Sequence, residues 1–186
     1  VWQNTIGGSG QDEISSIING QDNGFLLGGT SISPISGDKL EESIGWDYWI
    51  VHIDSLGFVQ WQNTFGGNSS DVLLTVAQSD DKGYILGGSS GSDVSGDKTE
   101  NSIGSDDIWL VKTDSLGTIL WQNTIGGSYN DILWNVIQTN DGGIILGGSS
   151  NSDSLFDKKE DSQGLMDYWV IKVDDQGNLE WQNTIG

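Results

Sequence analysis

The sequence has no cysteine and no arginine, a single proline and a single histidine, His52. Without cysteine there is no disulfide framework and no thiolate chemistry, and the compartment stays open, because a reducing cytosol and a bridge-free extracellular protein look alike here. Seven lysines stand against 27 acidic residues, a formal charge of -20. That balance repels phosphate backbones and anionic membrane surfaces, so no nucleic-acid partner is expected. No apolar run approaches the ~18 residues of a spanning helix, and no direct membrane insertion is expected. The chain opens on Val1 with no signal-like leader ahead of it, and the expectation is that any leader has been removed.

What is present is glycine, 28 residues, and tryptophan, nine. Together they suggest strands and tight turns. Recurring Trp, Ile, Leu and Val positions supply the apolar surface that opposes chain entropy, so the acidity does not imply disorder.

Trp-Gln-Asn-Thr recurs word for word at Trp2, Trp61, Trp121 and Trp181, at spacings of 59, 60 and 60 residues. That regularity is a repeat architecture. Gly28-Gly29, Gly87-Gly88 and Gly147-Gly148 keep step, as do Trp49, Trp109 and Trp169, each two residues after an aspartate. The periods are 1–60, 61–120 and 121–180, with 181–186 opening a fourth, and both ends fall at the same phase, as in a window on a longer array.

Each period holds four strand candidates and nothing periodic enough for a helix. In the second they are Val59 to Phe65, Val72 to Gln78, Tyr84 running into Gly87-Gly88, and Ile108 to Thr113. Alternation puts Val59, Trp61 and Phe65 on one face of the first. Asp22-Asn23-Gly24, Ser79-Asp80-Asp81-Lys82-Gly83 and Asn140-Asp141-Gly142-Gly143 read as hairpin turns. Strands apolar on both faces need cover on both sides, so the units must stack. The fold expected is all-β: tandem four-stranded antiparallel blades, β-propeller-like, open or part of a larger array, since a closed propeller takes roughly four to eight blades. A β-solenoid is the alternative.

The full pattern, Trp-Gln-x-Thr-x-Gly-Gly, then Asp-x-Gly-x-Ile-Leu-Gly-Gly, then Asp-Tyr-Trp-Val-x-Lys-x-Asp, is seen at Trp121–Gly127, Asp141–Gly148 and Asp167–Lys172. It resembles the tandem repeats of large secreted surface proteins of Bacteroidota. The resemblance covers the chain and implies a propeller-like fold, export by the type IX route and a surface role. It brings no catalytic residues. Ser-Gly-Asp-Lys at Ser36–Lys39 and Ser95–Lys98 becomes Leu-Phe-Asp-Lys at Leu155–Lys158 in the third period.

The acidic loops are the candidate metal sites: Asp38, Glu41 and Asp47; Asp97, Glu100 and Asp107; Asp157, Glu160 and Asp167. Calcium takes about six to eight oxygens, which such loops could gather, although no strict spacing is matched and a solvated loop explains them too. Asp12, Asp71 and Asp131 read as turn formers. Asn4, Asn63, Asn123 and Asn183 fall beside the tryptophans, where an amide needs a partner: a ladder of its own kind or loop backbone. Ser55, Ser115 and Ser154, in Asp-Ser-Leu, match the O-glycosylation pattern of Bacteroidota, and Asn68 the N-linked one. Turn chemistry accounts for the first two equally well. Lone His52 takes the position of Lys112 and Lys172, and triplicate loops argue against a unique active site.

The function expected is a non-enzymatic extracellular structural or adhesive protein, stacking on neighbouring repeats or copies of itself into a rod or fibre, anchored by Trp2, Trp61, Trp121, Trp181, Trp49, Trp109 and Trp169. The alternative is a carbohydrate-binding β-propeller using Trp46, Tyr48 or Tyr129 as stacking platforms.

Overall fold

A computed structural model describes residues 1–186, the side chain of Gln21 excepted. Three separate four-stranded antiparallel sheets account for the fold. The first is β1 (Asp12–Asn19), β2 (Phe25–Ser31), β3 (Asp47–Ile53) and β4 (Val59–Phe65). The second is β5 (Asp71–Gln78), β6 (Tyr84–Ser90), β7 (Asp107–Thr113) and β8 (Ile119–Ile125). The third is β9 (Asp131–Gln138), β10 (Ile144–Ser150), β11 (Asp167–Val173) and β12 (Leu179–Ile185). Every ladder joins strands consecutive in the chain, so each sheet is a meander, or blade. The solenoid alternative fails on this point, because a solenoid pairs strands of successive coils and no such ladder occurs among the described residues. The Trp-Gln-Asn-Thr strand is the fourth of its blade, so the motif closes a sheet rather than opening one.

Local chemistry sets the hairpins. Between β3 and β4, Asp54 Oδ1 accepts from the amides of Leu56 at 2.8 Å and Phe58 at 3.0 Å, and Gly57 takes φ +87°, which glycine alone adopts freely. Asp114 and Asp174 repeat the arrangement with Gly117 and Gly177. A bulge follows each of these turns: His52 pairs with Trp61 but Ile53 with Val59, skipping a residue. The bulge turns Val59 away from Trp61 and Phe65, so the shared face expected for these three does not form. Val59 packs with Trp49, Val51 and Ile53, while Trp61 and Phe65 join Tyr48 and Ile50 on the other side.

The third strand of each blade is the most deeply covered, with every residue of β3 and β7 buried. Stacking provides that cover. Leu26, Tyr48, Ile50 and Phe65 on the forward face of the first blade meet Leu73, Val76, Trp109 and Val111 on the rear face of the second. Ile85, Ile108 and Leu110 meet Leu133, Val136, Trp169 and Ile171 in the same way at the next junction. Each fully buried aliphatic side chain contributes about 1.5–3 kcal/mol, a gain that exists only with the neighbouring blade in place. The stack is open, ending on the rear face of the first blade and the forward face of the third.

Candidate functional site

The junctions between blades are the most elaborated part of the molecule. The first strand of one blade lies across the second strand of the one before it, over its Gly-Gly pair: a Cβ on Gly28 would lie 2.4 Å from Val76. Polar groups fasten the contact. The Ser15 hydroxyl donates to the Leu73 carbonyl at 2.7 Å, and the Leu73 amide donates to Thr30 Oγ1 at 3.1 Å. At the outer edge Asn4 Nδ2 donates to the Gly57 carbonyl at 2.9 Å, Asn63 to Leu116 at 3.2 Å, and Asn123 to Gly177. These three asparagines therefore bond the turn of the following blade rather than one another, and Asn183, on the last strand, has no following turn to bond.

The acidic loops occupy the gap between the second and third strands of each blade, where their carboxylates hold backbone. Asp38, Asp97 and Asp157 accept from the amides of Gly7, Gly66 and Gly126, each at 3.2 Å. Glu41, Glu100 and Glu160 accept from Thr64 at 2.5 Å, Thr124 at 2.6 Å and Thr184 at 2.6 Å. Asp47 accepts from Ile44 at 2.7 Å, Asp107 from Ile103 at 2.6 Å, and Asp167 from Gln163. These residues sit close in each loop, yet among the described residues no three carboxylates converge on a point that could hold a metal ion.

What the loops do enclose is lysine, a feature the sequence reading missed. Lys39, Lys98 and Lys158 are buried to 1%, 2% and 1% exposure. Lys39 Nζ lies 5.4 Å from the Trp49 ring centroid and Lys98 Nζ 5.9 Å from that of Trp109, within cation–π range. Lys98 also donates to Thr124 Oγ1 at 2.5 Å and to the Glu100 carbonyl at 3.0 Å. Burial draws all three ammonium groups below the usual lysine range, and the surrounding carboxylates partly restore it. The available signal was the recurrence of a lysine directly after Asp38, Asp97 and Asp157 in the three acidic loops. A lone cation among acids reads as surface until the fold folds the loop over it.

Asp12, Asp71 and Asp131 do hold turns, through the amides of Gly8 at 2.8 Å, Gly67 at 2.7 Å and Gly127 at 2.7 Å, but they are more than surface turn formers. Asp71 and Asp131 are fully buried, each also accepting from a serine hydroxyl, Ser92 at 2.9 Å and Ser152 at 3.0 Å. Burial raises both carboxyls, against the pull of those hydrogen bonds. Asp107 rises for the same reason, and Asp47 is pushed up to about 6, chiefly by burial, with Asp71 and Asp97 adding to it.

The remaining candidates scatter. Ser55, Ser154 and Asn68 are exposed and Ser115 is half-buried; Ser154 donates to Asp161, and the others sit in turns. Trp109 and Trp169 are fully buried and Trp49 nearly so, whereas Trp2 and Trp181, at the two ends, are 47% and 48% exposed. Trp61 and Trp121 are half-buried at the junctions. Of the aromatics considered for carbohydrate, Tyr48 is fully buried with its hydroxyl donated to the Trp109 carbonyl, and Trp46 is half-buried; Tyr129 stays exposed. Tyr48 therefore cannot act as a stacking platform. His52 is buried and stacks on Trp61, ring centroids 5.3 Å apart. Its counterparts Lys112 and Lys172 pair instead with Asp81 and Asp141.

The chain matches no known protein-family model and no curated protein sequence.

Proposed function

We propose that the chain is a non-enzymatic structural or adhesive repeat protein of a cell surface, whose blades stack face to face into a rod or fibre. The observation that carries this reading is the use of the triplicated loops. Their carboxylates, groups that would otherwise do chemistry, accept from the same backbone amides in each copy, and their buried lysines are engaged within the scaffold, Lys39 and Lys98 by a threonine hydroxyl and a tryptophan ring and Lys158 by the Ser152 carbonyl and the Ser162 hydroxyl. Repetition of one arrangement suits load-bearing or display better than turnover at a single centre. The secreted surface location draws on the resemblance of the Trp-Gln-x-Thr-x-Gly-Gly pattern to that of Bacteroidota surface proteins.

Electron microscopy of the purified protein, with and without a calcium chelator, tests the reading. Linear particles with a blade-sized repeat are expected. Isolated closed discs would overturn the fibre, and loss of the particles on chelation would add calcium as a requirement.

A further inference from the structure

The two junctions inside the chain are one contact made twice, and the two open faces are its separate halves. At the internal junctions the knobs are Leu73 and Val76, exposed 1% and 5%, and Leu133 and Val136, exposed 0% and 4%. The same positions of the first blade are Ile14 and Ile17, exposed 57% and 61%. The matching sockets are Gly28 and Gly87, where an added Cβ would lie 2.4 Å from Val76 and 2.5 Å from Leu133. At Gly147, the same position of the third blade, nothing lies closer than the Asn135 carbonyl oxygen at 3.9 Å. Tyr168 repeats the contrast: it occupies the position of buried Tyr48 and is 72% exposed.

The segment 1–7 adds a second relationship. Trp61 lies against Gly117 and Trp121 against Gly177, a fourth strand of one blade resting on the turn of the next, and Trp2 lies against Gly57 in the same manner. Residues 1–7 thus take the place of a preceding blade's fourth strand without being paired into a sheet. β12 carries the same Trp-Gln-Asn-Thr at Trp181–Thr184 and is hydrogen-bonded along β11.

We infer that a second copy of this chain docks its first blade onto the third blade of another, head to tail, with Ile14 and Ile17 seated over Gly147 and β12 displacing residues 1–7 of the incoming copy. The inference rests on the stacking reading above and adds the partner and the register. The occupant is chosen by continuity with the internal junctions, where a Leu-Val pair sits on the equivalent glycine and the open face offers the branched aliphatic pair Ile14 and Ile17 in its place. β12 keeps its place because leaving would break a ladder, whereas residues 1–7 have none to lose. A head-to-tail contact of this kind generates a filament wherever its rotation does not close into a ring.

Sedimentation velocity in ~0.15 M salt, which screens the net negative charge beyond about 8 Å, tests the contact. The full chain is compared with Ile14→Lys/Ile17→Lys, with Gly147→Leu, and with a chain lacking residues 1–7. Lysine lessens the net repulsion, so any loss of association reflects lost fit, and both altered sites are open enough for the fold to survive, as far-UV circular dichroism would verify. The full chain is expected to form concentration-dependent oligomers and each blocked variant to be monomeric. An equimolar mixture of the two blocked variants should stop at two chains, through the one knob and one socket left intact, and removal of residues 1–7 should shift association to lower concentration. A full chain that stays monomeric throughout overturns the copy-to-copy contact and leaves a further blade of the same polypeptide as the occupant. Blocked variants that still self-associate overturn the register while leaving stacking, and so the structural reading, intact. That reading fails separately, on closed discs in the microscope.

Discussion

The Tyr48 hydroxyl donates to the Trp109 carbonyl at 3.0 Å across the first junction, and the two rings lie 4.8 Å apart at 41°. One side chain thus supplies a hydrogen bond and an aromatic contact to the neighbouring blade. Tyr48→Phe removes the hydroxyl alone and should cost about 1–2 kcal/mol, since it leaves a buried acceptor with less than it had. Tyr168→Phe, at the same position on the open face, should change stability by no more than ~0.5 kcal/mol. Urea unfolding of both variants measures the difference.

The glycine sockets predict a second matched pair. Gly87→Val drives a side chain into Leu133, whose Cδ2 would lie 2.5 Å from the new Cβ, and overpacking of this kind costs about 1–3 kcal/mol. Gly147→Val enters open space and should be close to neutral in thermal unfolding of the isolated chain.

Lys112 Nζ donates to Asp81 at 2.6 Å and to Ser79 at 2.7 Å, with the lysine buried and the aspartate largely exposed. Asp81 is held down to about 2 by its hydrogen bonds to Lys112, Ser79 and Gly83, against a smaller opposing effect of burial than their sum. A double-mutant cycle of Asp81→Ala and Lys112→Met should return a coupling of about 0.5–3 kcal/mol. No coupling in denaturant unfolding would show the pair to be incidental.

The raised carboxyls make stability pH-dependent. With Asp47 pushed up to about 6 from 3.8, the folded chain keeps a proton that the unfolded chain has released. The stability this contributes is fully present below 3.8 and is lost as pH rises through about 6. Asp71, Asp97, Asp107, Asp131 and Asp157 are raised as well and act in the same direction. Asp81 and Asp141, each lowered to about 2, act oppositely, their stability being lost only as pH falls below the ordinary aspartate value toward that figure. Melting temperature should therefore fall between pH 4 and 7, and Asp47→Asn, which keeps an acceptor for the Ile44 amide, should flatten the fall. A melting temperature that rises across this interval would contradict the assignment.

Much of the architecture was legible in the residues. The recurrence of Trp61, Trp121 and Trp181, the Asp-x-x-Gly turns ending at Gly57 and Gly117, and the doubly apolar stretch Ile108–Val111 are local signals, and they lead to short strands, hairpins and stacked units. The face carrying Val59 was misread because a bulge is one skipped residue, and nothing in Val-Gln-Trp announces which residue the ladder will skip. The buried lysines went unnoticed because burial of an ammonium depends on groups about 25 residues away, Thr64 for Lys39 and Thr124 for Lys98, that only folding brings near.

The amino-acid sequence by itself determined the period, the strands, the turns and the need for each unit to have a neighbour, because these follow from spacing, glycine's conformational freedom and the two-residue alternation of a strand. Only the tertiary structure decided which face meets which, that Gly28 and Gly87 are sockets while Gly147 stands empty, and that the acidic loops close over lysine. Those outcomes depend on contacts between residues distant in the chain, where the same Ile or Tyr is core at one junction and surface at an end.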